Sequence, residues 1–309
     1  MKKVVEWRGH GARLAGLLLC LWLGGLCRPE KTEGAPAGSS PKRVKDLGPA
    51  PKTLVVYWAV SLDGQRLAYK TTHGPKATMY CDGQEGPAYD DVGWPFFSTD
   101  GKHVAYCAKR RDEKFKDHWC VVYDGKEGTF YDEIKWSIVQ FPSPFSFSPD
   151  SRHLACVARR EDRDGKPKWF VLYDGKEGRA YEDVQQLLFS ADSKHFVYSA
   201  RRKDEDGKDR WYMVWNGREG LPYDLIEWGL PGLKPMFSSD GNHVLYWGRR
   251  LDKEGSFNWF LVLDGVESGP YASVQVLSER EEDQGKIRYL TLDGTKASLI
   301  EIDWPKEKD

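Results

Sequence analysis

Neither sign of charge prevails in this sequence. Its 309 residues carry 46 Lys and Arg against 47 Asp and Glu, so no net field selects nucleic acid or an anionic membrane as the main partner. The six cysteines contain no Cys-x-x-Cys pair, which removes support for a zinc knuckle. A Gly-x-Ser-x-Gly elbow is missing too, so the chain holds no α/β serine peptidase. The glycines read as turn residues, and no phosphate-cradling loop is present. Long apolar runs are equally scarce. The uncharged stretch from Leu14 to Leu26 has thirteen residues, too few to cross a bilayer comfortably as a helix.

That short run, preceded by Lys2, Lys3, Arg8 and Arg13, fits the hydrophobic core of a secretory signal. Cys27 follows it directly, where a bacterial lipoprotein signal places its acylated cysteine, although Leu26 stands where Gly, Ala or Ser is usual. Cleavage after the small residues Ala35-Pro36-Ala37 is the competing reading. Residues 1–27 are therefore expected to direct export. Residues 28–52, rich in Pro, Gly, Ala, Ser and Lys, are expected to form a flexible tether. An extracytoplasmic location follows, with membrane contact only through the signal or a lipid.

Aromatic residues and glycine are plentiful: 13 Trp, 15 Tyr, 13 Phe and 31 Gly. Such a mixture favours many short strands joined by tight turns. Two signatures alternate along the chain. One is an apolar-Ser-x-Asp-Gly/Ser turn, at 60–64, 97–101, 147–151, 189–193 and 237–241. The other is an Asp/Asn-Gly turn ending in Tyr, at 82–89, 124–131, 174–181, 216–223 and 264–271, with a degenerate sixth copy at 293–295. Between them lie runs such as HVAYCA and WCVVY, whose apolar residues suit strands buried on both faces. A further strand is expected after each Tyr, and another leading into each Phe-Ser. Four strands per repeat, in a radial stack that leaves few edges, make a propeller blade.

The FSPDS turn at 147–151 and its near-copies, each followed by a short strand, resemble the TolB-like (WD-repeat-like) propeller repeat, whose hallmark is Ser-Pro-Asp-Gly. The likeness spans about 250 residues. Only Pro149 supplies the Pro-Asp pair; the other copies carry Leu62, Thr99, Ala191 or Ser239. In that family the turn is structural, and the resemblance implies a fold rather than an activity. The expected architecture is all-β, a β-propeller of four-stranded antiparallel blades over residues 53–304. Six blades are expected, the last incomplete, with five as the alternative. Closure would pair the C-terminal strands with the segment around Leu54–Tyr57.

Several residue types recur in register. His103, His153, His195 and His243 follow the Asp of successive first turns. A shared metal is excluded because each belongs to a different blade, so turn scaffolding is expected instead. Basic pairs end four strands, at Lys109-Arg110, Arg159-Arg160, Arg201-Arg202 and Arg249-Arg250. Each faces a Trp on the next strand (Trp119, Trp169, Trp211, Trp259), which suggests cation–π packing. Arg110, Arg160, Arg202 and Arg250 are also candidate anchors for an anionic ligand. The Asp-x-Asp-Gly runs at 162–165 and 204–207 are too short for a calcium loop. Cys107 and Cys120 lie on adjacent strands where a disulfide is conceivable. The plainer expectation is that Cys81, Cys107, Cys120 and Cys156 are small buried hydrophobes.

Strand alternation puts both signature turns on one face and the Arg-Arg loops and blade connectors on the other. Connectors vary, as binding loops do. Trp94, Trp136 and Trp228 each stand five residues after a blade Tyr and are candidates for lining an axial funnel. Wedging between blades is the alternative. No irregular pair of carboxylates is evident for glycan cleavage. The expected function is a monomeric, non-enzymatic module that docks a protein partner, without metal or cofactor. A glycan-binding or glycan-active propeller is the alternative.

Overall fold

The computed structural model describes residues 57–135, 145–230, 233–278, 287–293, 296–302 and 304. All of them lie in the unit Leu47–Asp309. Cys27, the signal and the tether fall outside the described residues, as does Trp136.

The described residues form six antiparallel sheets in chain order. The fourth is representative, with strands Asp183–Phe189, Phe196–Lys203, Asp209–Trp215 and Arg218–Tyr223, each paired with the next. Apolar layers fill the space between consecutive sheets. Val104, Tyr106 and Ala108 of the second sheet pack with Ala77, Met79 and Tyr89 of the first, whereas Ala105 and Cys107 pack with Cys156 and Ala158 of the third. Burial on both faces is why these strands read as unbroken apolar runs. The same alternation settles the cysteines. Cys107 faces the third sheet and Cys120 the first, so their thiols point to opposite sides, and all four body cysteines are free.

Local chemistry fixes both turns. In the Asp/Asn-Gly hairpins both central residues have positive φ, as at Asp124 (45°) and Gly125 (79°), the geometry that matches strand twist. In the other turn a buried Ser organises the loop. Ser148 donates to Asp150 at 2.6 Å and accepts the His153 amide at 3.0 Å, and Asp150 accepts the Arg152 amide at 3.1 Å. The next sheet holds this turn in place, for the Asp150 amide donates to Ser193 Oγ at 2.8 Å. His153 Nδ1 bonds Asp174 of the adjacent hairpin at 2.7 Å, and His103 and His243 use Asp124 and Asp264 in the same way. His195 meets Asn216 instead. The histidines are turn scaffolding, tied to the second signature rather than to the Asp of their own turn.

These turns make stability acid-sensitive. Hydrogen bonds from Ser98 and the Lys102 amide hold the Asp100 carboxyl down at about 2, and Asp150, Asp192 and Asp240 are lowered by the same causes. Their folded pKa values lie below the unfolded value of about 4, so the stabilisation is present above that pH and disappears as pH falls through the folded values. The urea midpoint should therefore drop steeply between pH 4 and pH 2. Ser148→Ala should flatten that dependence.

Two sequence expectations about strand order need correction. The segment after each Tyr and the one leading into Phe-Ser are not separate strands. Asp91–Val92 and Phe96–Phe97 both pair with Val104–Arg111, so they are halves of one interrupted inner strand. In the fourth sheet the same strand is continuous across a bulge at Gln186, where φ is 46°. The outer strand is the second signature itself.

The sixth sheet has also been mis-phased. The Ala272 amide bonds Leu292 O as the Glu182 amide bonds Arg201 O. Strands Ser273–Ser278, Ile287–Asp293 and Lys296–Ile302 are thus the first three of a sheet, and the outer strand has no counterpart among the described residues. Asp293 pairs with Lys296 at the end of the second and third strands that corresponds to the Arg-Arg pairs, so Asp293 does not begin a copy of the second signature. Of the closure segment only Tyr57 is described, and its carbonyl accepts the Lys70 amide of the first sheet at 2.9 Å.

Candidate functional site

Trp94 and Trp228 are the two aromatic candidates among the described residues, and they have different surroundings. Trp94 sits in the break of the second sheet's inner strand, half-buried, with its ring 4.9 Å from Tyr57. Trp228 is 7% exposed and packs with Met213, Tyr223 and Tyr246 between the fourth and fifth sheets. It is a wedge between sheets and presents no ring for a funnel.

The basic pairs divide their work. The first member faces Trp across the hairpin, with Arg249 4.7 Å from the Trp259 ring and Lys109 5.6 Å from Trp119. The second member is engaged elsewhere. Arg160 makes a two-pronged pair with Glu177 at 2.9 and 2.8 Å. That carboxylate also accepts the hydroxyl of Tyr131, from the preceding sheet, at 2.9 Å. Arg110, Glu127 and Tyr89 repeat the arrangement, as do Arg250, Glu267 and Tyr223. Arg202 is bound to Glu219 at 2.7 Å. The Glu and Tyr of the second signature are therefore the two halves of a tie between neighbouring sheets. Arg110, Arg160, Arg202 and Arg250 are neutralised within it, and their role as free anchors for an anion is corrected accordingly. Among the described residues no three His, Cys, Asp or Glu side chains gather as metal ligands.

One internal position is a Tyr in every sheet but one. Tyr69, Tyr106, Tyr198, Tyr246 and Tyr289 occupy equivalent places in five of them, and the third has Cys156. In the second and fifth sheets this ring lies over a glycine of the preceding hairpin, so that a Cβ added at Gly86 or Gly220 would meet the Tyr106 or Tyr246 hydroxyl. Gly128, the counterpart facing Cys156, meets only Val121 O of the neighbouring strand, as Gly178 meets only Val171 O. Cys156 lies in a cavity of about 390 Å³ between the second and third sheets, walled also by Val121, Leu154, Leu172 and Tyr131. The grooves between the first and second and the fourth and fifth sheets carry more polar side chains, including Arg66, Gln84, Glu85 and Arg218.

Strand pairing contributes to the mouth. Beyond Lys126–Glu127 the outer strand of the second sheet loses its ladder until the Trp119–Tyr131 bridge, so Thr129 stands at the rim. Lys126 and Arg152 stand there also. Burial pushes the Cys156 thiol up to about 12, which makes it an apolar wall rather than a nucleophile. This cavity opens on the face of the signature turns. From the sequence, binding is expected on the opposite, connector face. The signal was nonetheless in the sequence, as HLACVA among HVAYCA, HFVYSA and HVLYWG.

No family model matches the sequence, and no curated protein matches it. Solved structures do. The β-propeller domain of the Trilobed protease from Pyrococcus furiosus is 14% identical, over 82% of this chain and 84% of that one, with a TM-score of 0.36. TolB from Acinetobacter baumannii is 16% identical over 77% of this chain, with a TM-score of 0.31, and the match covers 64% of TolB, less than two thirds. An oligogalacturonate lyase is 13% identical over 78% of this chain and 74% of its own, with a TM-score of 0.37. Strand order and repeat define the chain as a β-propeller with TolB-like repeats, and these likenesses assign it no activity. They do correct the expectation that the chain is not an enzyme. The propeller domain of a protease and a lyase are among the structures it resembles, so the architecture gives no ground for excluding catalysis.

Proposed function

We propose that the chain is an exported β-propeller that binds a polypeptide partner in the cavity between its second and third sheets. The observation that carries this reading is the apolar pocket at Cys156, where the repeat's Tyr is replaced and the equivalent grooves of other sheets have more polar walls. Pockets of roughly 300–1,000 Å³ with apolar walls and a few polar groups at the mouth are the usual form of a recognition site. The basic residues and short apolar run at the N-terminus support export to an extracytoplasmic location. In this reading residues 1–27 are the signal, residues 28–52 the tether and Cys27 the point of lipid attachment. The propeller over 53–304 acts as a monomer.

Photo-crosslinking in cells tests the binding role. Benzoylphenylalanine in place of Thr129, at the rim, should give a discrete protein adduct. The same group at Pro87, the corresponding place in the first sheet, should not. Equal labelling from both positions, or none from Thr129, would overturn the assignment of the partner to this cavity.

A further inference from the structure

The chemistry of the rim narrows what the cavity takes, given the reading of it as the partner site. Its acidic groups are already engaged. Asp174 is bonded to His153 and to the Leu154 amide, and Glu127 is paired with Arg110 and accepts the Tyr89 hydroxyl. The cations are not matched in this way. Lys126 makes no ion pair among the described residues, and the one carboxylate near Arg152 is Asp150, at 4.0 Å, with the Arg152 side chain 82% exposed. The groove between the first and second sheets differs, because the uncharged Gln84 stands there at the place of Lys126, leaving Lys102 as the counterpart of Arg152. An apolar chamber with two available cations at its mouth complements an apolar group that carries an adjacent carboxylate.

We infer that the cavity recognises the C-terminal residue of a partner polypeptide when that residue is large and apolar. Its side chain enters against Leu154, Cys156 and Leu172, while the terminal carboxylate meets Lys126 and Arg152. A chain terminus supplies both groups on one residue, and an internal apolar residue supplies only the first.

The test uses the full chain and a fluorescein-labelled peptide, Gly-Gly-Ser-Gly-Phe, as the free acid and as the C-terminal amide, followed by fluorescence anisotropy. The acid should bind saturably and the amide about tenfold more weakly, the scale of a lost charge-assisted hydrogen bond. Lys126→Ala/Arg152→Ala should bring the acid down to the level of the amide. Cys156→Tyr, which restores the residue that five other sheets carry, should abolish binding of both. Thr129→Trp, which covers the mouth, is a second closure that leaves Cys156 in place. Thermal denaturation within about 2 °C of the parent shows that the variants are folded.

Equal affinity for acid and amide would overturn carboxylate recognition. Saturable binding that survives both closures, or no saturable binding by the parent, would overturn the inference as well. A partner adduct from Thr129 that persists in any of these cases leaves the polypeptide-binding role standing, so the two readings fail separately.

Discussion

Replacing Glu227 with Ala is expected to destabilise the protein by about 3 kcal/mol, at the lower end of the range for breaking a buried ion pair. Glu227 is 7% exposed, and its carboxylate binds Arg249 at 3.0 Å while accepting the Gly229 amide at 2.9 Å and the Leu230 amide at 3.2 Å. Its removal leaves a guanidinium wedged against Trp259 and Phe257 with its carboxylate gone, and releases the chain that follows Trp228. The melting temperature should fall by roughly 5–10 °C. Glu227→Gln keeps an oxygen for the two amides and should lose less. If Ala and Gln were equally mild, the pair would not be anchoring this segment.

The second large effect concerns the ties between sheets. Tyr223→Phe removes a hydroxyl that donates to Glu267 at 2.6 Å from a fully buried ring, and should cost about 1.5 kcal/mol. Glu267→Ala should cost more, since it strands both that hydroxyl and Arg250. Urea unfolding of Tyr223→Phe, Arg250→Ala and the double variant should show coupling above about 0.5 kcal/mol, as groups sharing one carboxylate do. Additivity would mean that the Tyr and Arg act independently.

Much of the architecture was written in short-range chemistry. Asp124-Gly125 and its counterparts adopt positive φ in both residues, and few dipeptides accept that geometry cheaply, so the hairpins are marked wherever they occur. The same generality misled at Asp293, which pairs with Lys296 at the opposite end of the strands from the signature turns. The Ser-x-Asp turn is equally local, its bonds spanning two to five residues. Pairing between copies is a different matter. Tyr131 and Glu177 are 46 residues apart, and a column of tyrosines beside a column of glutamates does not say which copy bonds which. Arg160 accordingly looked free when it was not.

The cavity was legible only as an exception, Cys156 in a column of tyrosines. Its consequence required knowing that the column points between sheets. Trp228 shows the converse. Its spacing suggested a lining residue, but whether a ring faces an axis or a neighbouring sheet depends on the connector that follows, which has no period to read.

Function is placed here at the one site where a copy abandons its own scaffold. The most direct test is to repeat the Thr129 crosslinking in a Cys156→Tyr background, in cells, with the melting temperature of the variant measured alongside. The account predicts that the adduct disappears while the fold stays intact, because the restored ring and its hydroxyl displace the apolar group seated at Cys156. An adduct of undiminished yield from a folded Cys156→Tyr protein would contradict it.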